Sequence, residues 1–193
     1  MILQKNKNKK DSKKFKVAFR FADPQKIIDN LKIKTGSKIA DFGSGSGFFT
    51  IPLARKVGEK GVIYALDVLP SALESIESQS HTFGLENIII KRVDLTKEKG
   101  SGLSNESVDW VILKDVLFQN QEKKQMLKEA FRILKKGGSV LIMEWNENNF
   151  AMGPDIKKRV SVEELSKILI EQGFSVSEPE EAGNFHYILI ATK

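Results

Sequence analysis

The chain has 193 residues, of which 40% are hydrophobic, enough for one domain with a full core, and no apolar run approaches the ~20 residues of a membrane span. It contains no cysteine, which excludes disulfides, thiolate metal sites and cysteine nucleophiles, including enzymes that hold arsenite on cysteines or attack pyrimidine C5 through one. Seven lysines and one aspartate fall in residues 1–16, so this stretch accounts for the whole formal charge of +6.

The first 16 residues are predicted to be a flexible basic tail, and residues 17–193 a single folded domain. A lysine-rich tail can make a weak contact with nucleic acid or an anionic membrane surface. A solvated tail that only aids solubility is the favoured alternative, because lysine–asparagine repeats without arginine or interleaved aromatic residues carry little recognition content. Since no apolar segment follows the positive charges, the sequence predicts a cytoplasmic protein made without export.

A strand, a glycine turn and a helix follow one another without a spacer near the start of the domain. A first helix is predicted from Asp23, a favourable N-cap, with Pro24 in its first turn. Then Lys38–Phe42 is an apolar run typical of a buried strand, and it ends in Gly43–Gly47 before a helical pattern begins at Phe48. Such a turn brings backbone N–H groups up to a ligand.

The spacing of these glycines separates several kinds of ligand site. A dinucleotide fingerprint needs glycine or alanine where this chain has Phe48, and a phosphate-binding P-loop needs a Gly-Lys pair that is not there. Two hypotheses remain for this loop: it binds a ligand of another kind, or it is a glycine-rich structural turn that binds no ligand. The spacing therefore argues against a nicotinamide cofactor and against a P-loop nucleotide.

Three later segments also read as buried strands that end in polar residues. They are Gly61–Asp67, Glu86–Asp94, and Ser107–Leu113 with Lys114-Asp115 directly after it. A carboxylate at the end of the second strand, here Asp67, can accept hydrogen bonds from both hydroxyls of a ribose. The alternative is a cap for the helix that starts at Pro70-Ser71, which fits less well because Val68-Leu69 intervene. Ligands of open α/β sheets bind at the carboxyl ends of the strands, so we expect these polar residues to meet there.

The next part of the chain reads as a helix, a strand and a long irregular segment. An amphipathic helix is predicted over about 121–134, with Lys135-Lys136 in its last turn and a stop at Gly137-Gly138. Gly138–Trp145 is the fifth predicted strand. Residues 146–160 are polar and irregular, and a connection of that length is more often functional, so we interpret it as a cap on the substrate side.

The last segment is predicted to be a helix followed by two strands. Ser161 is expected to cap the helix, and residues 174–177 and 185–192 are the strands, joined by a loop at 178–184. Because that loop lies at the carboxyl end of its incoming strand, His186 begins the final strand on the ligand side of the sheet. There it can remove a proton from an acceptor, although a satisfied, partly buried histidine is the commoner alternative.

The D-x-G-x-G-x-G motif of residues 41–47 resembles the first motif of the class I S-adenosylmethionine-dependent methyltransferases. Residues 129–138 resemble the helix, turn and strand of the small-molecule, quinone/sterol-type group of that family. The resemblance covers about residues 24–193. It implies an α/β Rossmann-like sheet of seven strands in the order 3-2-1-4-5-7-6, with the last strand antiparallel and helices on both faces. It also implies S-adenosyl-L-methionine as cofactor and S-adenosyl-L-homocysteine as product. No metal is expected, because the sequence has only His81 and His186 and no clustered ligand spacing.

The resemblance also implies site residues. Those for the cofactor are Asp41, Gly43, Ser44, Gly45, Gly47, Asp67, Val68, Asp94, Leu95 and Lys114. A carboxylate such as Asp41 can compensate the ammonium of the ligand. Asp94 can accept from the adenine amino group, beside an apolar face from Val93 or Leu95; the alternative for Asp94 is a short acidic loop cap. Apart from the resemblance, we expect Asp115, Trp145, Asn146 and His186 to line the acceptor pocket, with His186 or Asp115 as candidate base. The resemblance makes Phe21 a candidate lid contact, although a hydrophobic anchor for the tail is the favoured alternative.

The expected reaction is transfer of a methyl group to an unidentified small-molecule acceptor. Enzymes of this family that methylate exocyclic or amide nitrogens often carry [DN]-P-P-[YFW] where this chain has Lys114–Leu117, which argues against DNA adenine and glutamine amide methylation. Two alternatives stay open: an RNA or protein methyltransferase that uses the basic tail, and a non-catalytic scaffold that binds S-adenosylmethionine.

Overall fold

The fold is described from a computed structural model, which describes residues 20–148 and 152–193; the predicted tail at 1–16 lies outside them. Within these residues the chain forms five α-helices and eight strands. The helices are α1 (Pro24–Asn30), α2 (Thr50–Val57), α3 (Pro70–Phe83), α4 (Lys123–Ile133) and α5 (Val162–Glu171). The strands are β1 (Lys38–Phe42), β2 (Val62–Asp67), β3 (Ile88–Arg92), β4 (Val108–Lys114), β5 (Leu134–Trp145), β6 (Ser175–Val176), β7 (Glu180–Ala182) and β8 (His186–Thr192). Short 3-10 helices lie at Leu117–Gln119 and Ile156–Lys158.

The strands form one sheet in the order β3-β2-β1-β4-β5-β8-β6, and β7 pairs with β8. Neighbours from β3 through β5 are parallel, whereas β8 is antiparallel to β5, β6 and β7. The predicted α/β Rossmann-like sheet and its strand order are therefore confirmed. The carboxyl ends of β1 to β5 lie at one edge of the sheet, which is the usual ligand edge of such folds.

Alternate residues of each central strand feed two hydrophobic cores, one on each face of the sheet. In β1, Ala40 and Phe42 pack with the apolar faces of α4 and α5, whereas Ile39 packs with those of α1 and α2. All three side chains are fully buried. Because parallel strands are covered on both faces, they appear in the sequence as continuous apolar runs, which made them easy to locate.

The starts of the helices follow local capping chemistry. The Asp23 side chain accepts from the backbone N–H groups of the first turn of α1, and Ser161 accepts from the N–H of Glu164 in α5. Both caps were predicted. Helix α2 begins at Thr50, two residues later than predicted, because Gly47 and the residues after it continue the turn.

Two features near the end of the sheet differ from the prediction. The predicted stop of α4 at Gly137-Gly138 is wrong: β5 begins at Leu134, which pairs with Val108. Lys135, expected in a helical last turn, instead donates to the Asp109 carboxylate of β4 at 2.6 Å, so strand pairing overrides the local helix signal. The predicted loop at 178–184 contains β7, a short strand that the sequence pattern did not indicate.

The first glycine of the loop after β1 is needed for packing as well as for conformation. Gly43 has φ +66°, and a Cβ added there would lie 2.5 Å from Cγ2 of Val116. We expect Gly43→Ala to lower the free energy of unfolding by roughly 2–4 kcal/mol, from the positive φ and the overpacking together.

The matched control is Gly45→Ala, because a Cβ on Gly45 (φ +52°) meets nothing within 4 Å. Only the conformational cost remains there, about 1–2 kcal/mol. Urea denaturation of both variants checks the difference, and equal losses would show that the contact with Val116 is unimportant.

Candidate functional site

The predicted site residues lie where the strands of the sheet end. Asp67 closes β2, Lys114 closes β4 and Trp145 closes β5. The antiparallel strand β8 starts at this edge, so that His186 pairs with Trp145 in the strand register. The sheet thus collects, at one edge, side chains that are more than a hundred residues apart in sequence.

The glycine loop is tied to the end of β2 by backbone and side-chain hydrogen bonds. The N–H groups of Gly43 and Ser44 donate to the carbonyl of Leu66 at 2.8 and 3.2 Å. The N–H of Gly45 donates to Oδ2 of Asp67 at 2.9 Å, and Oδ1 of Asp67 accepts from Leu69 N–H at 2.9 Å. The Asp67 carboxylate therefore fixes both the glycine loop and the turn that enters α3.

The loop leaves space and hydrogen-bonding capacity for a ligand. The position of a Cβ on Gly45 is open, so a ligand can approach the backbone there. The hydroxyl of Ser44 is buried and has no hydrogen-bond partner among the described residues. A buried hydroxyl without a partner is rare, and a polar ligand group would satisfy it. An open backbone, an unpaired hydroxyl and an acidic end of β2 together fit the nucleoside and amino-acid parts of S-adenosylmethionine.

Asp41 lies beneath this loop in β1 and is 2% exposed. Its Oδ2 accepts from Oγ1 of Thr50 at 2.6 Å. Burial raises the pKa of Asp41 to about 6, with a further increase from the charge of Asp67, against the hydrogen bond from Thr50 and the charge of Lys114. A buried carboxylate of this kind is stabilised by a nearby cation, such as the ammonium of an amino acid.

Asp94 and its neighbours form a separate turn after β3. Oδ1 of Asp94 accepts from the N–H and Oγ1 of Thr96 at 3.0 and 2.6 Å, and these bonds lower the pKa of Asp94. Leu95 is buried in the core on the α4 side, whereas Val68, after β2, is half exposed. Of the residues predicted for the adenine, Asp94 is thus accessible and Leu95 belongs mainly to the core. Val68, predicted for the cofactor in general, is accessible as well.

A second cluster of polar residues follows β4. Lys114 and Asp115 form an ion pair, and Asp115 has a positive φ of 56°, an uncommon conformation for a residue other than glycine. Oδ1 of Asp115 lies 3.1 Å from Nε2 of His186, and the imidazole ring lies 4.3 Å from the ring of Trp145. The structure therefore brings together the two candidate bases that the sequence places 71 residues apart.

The charge state of Asp115 follows from these contacts. Burial favours a higher pKa, but the hydrogen bonds from His186 and Lys114 outweigh it, so the pKa of Asp115 is lowered from its ordinary value. Asp115 is therefore a carboxylate at neutral pH, and its lowered pKa makes it a weaker base than an ordinary carboxylate. Which of Asp115 and His186 acts as the base stays a prediction.

The predicted cap folds back onto Trp145 in the part that the structure describes; residues 149–151 lie outside it. The guanidinium of Arg159 donates to the carbonyls of Asn146 and Met152 at 2.8 and 3.0 Å and lies 5.9 Å from the Trp145 ring. The side chain of Asn146 donates to the carbonyl of Asn184 at 2.9 Å. Asn146 thus holds the cap to the turn before β8 and also lines a cavity of about 220 Å³ with His186.

Three residues of this region were not predicted: Thr50, Glu144 and Arg159. Thr50 gave no signal, because its bond to Asp41 depends on how α2 packs on β1. Glu144 did give one, since it is a single carboxylate within the apolar run of β5. Arg159 is the single arginine of the predicted cap, but only the fold shows that its guanidinium donates hydrogen bonds to the backbone carbonyls of that segment.

Residues 20–148 and 152–193 contain neither a candidate metal site nor a helix that could span a membrane. No group of three or more His, Asp and Glu side chains in that part could hold a metal ion. Nor is any helix between residues 20 and 193, as far as described, long and apolar enough to cross a bilayer.

Comparison with known proteins gives the family. A family model described as a methyltransferase domain matches residues 33–188. The chain belongs to this family of methyltransferase domains, and the resemblance to class I S-adenosylmethionine-dependent methyltransferases is confirmed.

Individual relatives agree with this membership. Human arsenite methyltransferase is 33% identical over 108 residues, which cover 53% of this chain and 29% of that protein. The ubiquinone/menaquinone biosynthesis C-methyltransferase UbiE of Haemophilus ducreyi is 26% identical over 125 residues, 64% of this chain and 47% of that protein. The chain therefore spans less than half the length of these two curated relatives.

Solved structures agree on the fold. A SAM dependent methyltransferase from Aquifex aeolicus superposes with a TM-score of 0.81 and 26% identity, over 89% of each chain. The [4+2]-cyclase SpnF superposes with a TM-score of 0.75 at 16% identity, over 88% of this chain and 80% of that one. Since a cyclase shares the fold, the fold alone does not fix the reaction.

The raised pKa of Asp41 gives a prediction with a definite sign. Between its ordinary pKa of 3.8 and about 6, the folded protein holds a proton that the unfolded chain has lost, so stability falls as pH rises through this window. Asp41→Asn removes this loss and still offers an oxygen to Thr50. We expect the variant to be more stable than the parent at neutral pH by roughly 1–3 kcal/mol, with the difference vanishing in acid.

Urea denaturation at several pH values checks this expectation. Asp94→Asn is the control of opposite sign: the lowered pKa of Asp94 contributes stability above its ordinary pKa that is lost in acid, so its removal destabilises at neutral pH. A loss of stability in Asp41→Asn at neutral pH would show that the ionised Asp41 side chain is not destabilised by its burial.

Proposed function

We propose that this chain transfers the methyl group of S-adenosyl-L-methionine to a small-molecule acceptor and releases S-adenosyl-L-homocysteine. The observation that carries the proposal is the meeting of the Asp67 carboxylate with the N–H of Gly45 at a loop whose backbone is open to a ligand. Membership of the methyltransferase-domain family supports it. When bound, the cofactor supplies a methyl group that its sulfonium has already activated, so the protein needs chiefly to align the acceptor and exclude water.

The cofactor residues are proposed by position. Asp67 accepts hydrogen bonds from the ribose hydroxyls, either in addition to those from Gly45 and Leu69 N–H or in exchange for them. Asp41 compensates the ammonium, and the unpaired hydroxyl of Ser44 bonds a polar group of the ligand. The proposed set is completed by Gly43, Gly47, Val68, Asp94, Leu95 and Lys114.

His186 is proposed as the base, and its tautomer follows from Asp115. The Asp115 carboxylate can only accept a hydrogen bond, so neutral His186 carries its proton on Nε2 and donates it to Oδ1 of Asp115. The lone pair then lies on Nδ1, which is buried and has no partner among the described residues. Asp115 orients the ring and stabilises the imidazolium that forms when Nδ1 takes a proton, the logic of a carboxylate–histidine pair.

The class of acceptor is proposed from the relatives and from composition. The name of UbiE includes ubiquinone and menaquinone biosynthesis, and an aromatic acceptor could stack on Trp145, whose ring lies 4.3 Å from that of His186. Arsenite, the acceptor named for the human relative, is not proposed here, because trivalent arsenic prefers thiolate ligands and the chain has no cysteine. A phenol or hydroquinone is therefore the acceptor class to test first.

Two further expectations stay predictions of the sequence. The weak anionic contact concerns the lysines of residues 1–16, which lie outside the described part of the chain. The cytoplasmic location also remains a prediction.

The cofactor assignment is tested by Asp67→Asn. The substitution keeps the shape of the side chain but removes the charge that accepts the ribose hydroxyls. We expect the affinity for S-adenosyl-L-homocysteine to fall by about 10- to 100-fold, the value of one or two charge-assisted hydrogen bonds. Isothermal titration calorimetry measures it.

Asp109→Asn is the matched control for this variant. Asp109 is also a strand carboxylate that accepts from a backbone N–H, that of Lys38 at 2.8 Å, but it lies near the start of β4, at the opposite edge of the sheet. Its substitution should leave the affinity unchanged. Equal effects of the two substitutions, or no binding by the parent protein, would refute the assignment.

The catalytic assignment is tested by His186→Gln. With labelled S-adenosylmethionine and a panel of phenols and hydroquinones, we expect the rate of methyl transfer to fall by roughly 10²- to 10⁴-fold while the cofactor affinity is retained, because a general base acts only in the chemical step. His81→Gln, at an exposed position in α3, is the control with parental turnover.

The same assay separates the alternatives. Binding without methyl transfer to any small molecule, RNA or protein acceptor would favour a non-catalytic scaffold. Methyl transfer to RNA or protein that is lost when residues 1–16 are deleted would favour the hypothesis of an RNA or protein methyltransferase that uses the basic tail.

A further inference from the structure

Glu144 is a buried carboxylate that the proposed reaction does not use. It lies in β5, one residue before Trp145, and is fully buried. Its Oε1 accepts two backbone hydrogen bonds, from Val116 N–H at 2.9 Å and Leu117 N–H at 2.7 Å. Glu144 therefore holds the turn that follows β4 at its first residues.

This turn connects the two halves of the candidate site. On the cofactor side, the Val116 side chain fills the space next to Gly43 so closely that an added Cβ would lie 2.5 Å from it. On the acceptor side, Asp115 precedes Val116 and bonds His186. A shift of the turn therefore moves the packing of the glycine loop and the orientation of His186 together.

The second oxygen of Glu144 separates it from an ordinary structural acid. Its Oε2 is buried and has no partner among the described residues. By contrast Glu129, a buried carboxylate of α4, bonds with one oxygen to Ser101 and Arg132 and with the other to Arg132 again. Burial, with the charge of Asp115, raises the pKa of Glu144 to about 7, against the N–H groups of Leu117, Val116 and Phe118. Such a site is costly, which argues for a role other than stability.

We propose that Glu144 is a positioning residue: it fixes the 115–117 turn so that the glycine loop and the Asp115–His186 pair are held in one arrangement. The inference deepens the proposed function and rests on it. Because the same turn contacts both halves, a ligand in the glycine loop and the orientation of His186 are coupled through Glu144.

The test compares Glu144→Ala with Glu144→Gln. The glutamine keeps an oxygen acceptor for the two N–H groups, whereas the alanine leaves them unpaired. Long-range proton–nitrogen NMR spectra report the tautomer of His186, and since the chain has two histidines, His81→Gln assigns the signals. We expect the Nε2–H tautomer in the parent and in Glu144→Gln, and a mixture in Glu144→Ala.

The second readout is the affinity for S-adenosyl-L-homocysteine. We expect the affinity to fall by about 10-fold in Glu144→Ala, because the two unpaired N–H donors shift the turn. In Glu144→Gln, which keeps an acceptor for them, it should fall by less than about 3-fold. Glu129→Ala is the control, since it removes another buried carboxylate, whose partner Arg132 lies beside the start of β4, at the opposite edge of the sheet. It should change neither readout, whatever stability it loses.

Parental values of both readouts in Glu144→Ala, or losses equal to those of Glu129→Ala, would overturn the inference. If Glu144→Ala does not fold, hydrogen exchange in the parent replaces it: the amides of Val116 and Leu117 should exchange more slowly when S-adenosyl-L-homocysteine is bound, and unchanged rates would overturn the coupling. If the unsubstituted protein does not bind S-adenosyl-L-homocysteine, the proposed function is refuted. The role of Glu144 can still be tested in that case, because the tautomer of His186 in ligand-free Glu144→Ala shows whether Glu144 fixes the position of Asp115.

Discussion

The hydrogen bonds of the Asp67 carboxylate are the interaction on which the rest of the site depends. One oxygen accepts from Gly45 in the loop after β1, and the other accepts from Leu69 in the turn after β2. Two loops from adjacent parallel strands are thereby fixed by one side chain, while the backbone at Gly45 stays open. A site of this construction is preorganised, because its ligand does not have to order the loop on binding.

Several buried carboxyl groups lie near one another at the same edge of the sheet, and Lys114 compensates part of their charge. The charge of Asp67 disfavours the ionised form of Asp41, and the charge of Asp115 disfavours that of Glu144. The charge of Lys114 favours the ionised forms of Asp41 and Asp115. Burying carboxylates close together costs free energy, which shows in the raised pKa values of Asp41 and Glu144. Perturbed carboxyl groups of this kind mark functional sites more often than structural ones. A ligand that brings a positive charge, as an amino-acid ammonium and a sulfonium do, would favour their ionised forms.

The fold could be predicted from the sequence because its strands are apolar runs that end in acids or glycines, and because the motif of residues 41–47 resembles that of one family. The cofactor residues proposed for the site come from the same pattern and the same resemblance. What the sequence could not give were contacts that depend on strand pairing: the start of β5 at Leu134, the short strand β7, and the approach of His186 to Asp115. Glu144 was visible as a lone acid in an apolar strand, but its two backbone partners come from a turn that only the folded sheet brings near it.

If the open loop at Gly45 and the carboxylate of Asp67 bind S-adenosylmethionine, a crystal structure of the protein with S-adenosyl-L-homocysteine will show it. We expect the ribose hydroxyls on Asp67, the amino-acid end over the glycine loop above Asp41, and the adenine near Asp94. A ligand bound elsewhere, or a ribose that does not contact Asp67, would contradict this assignment.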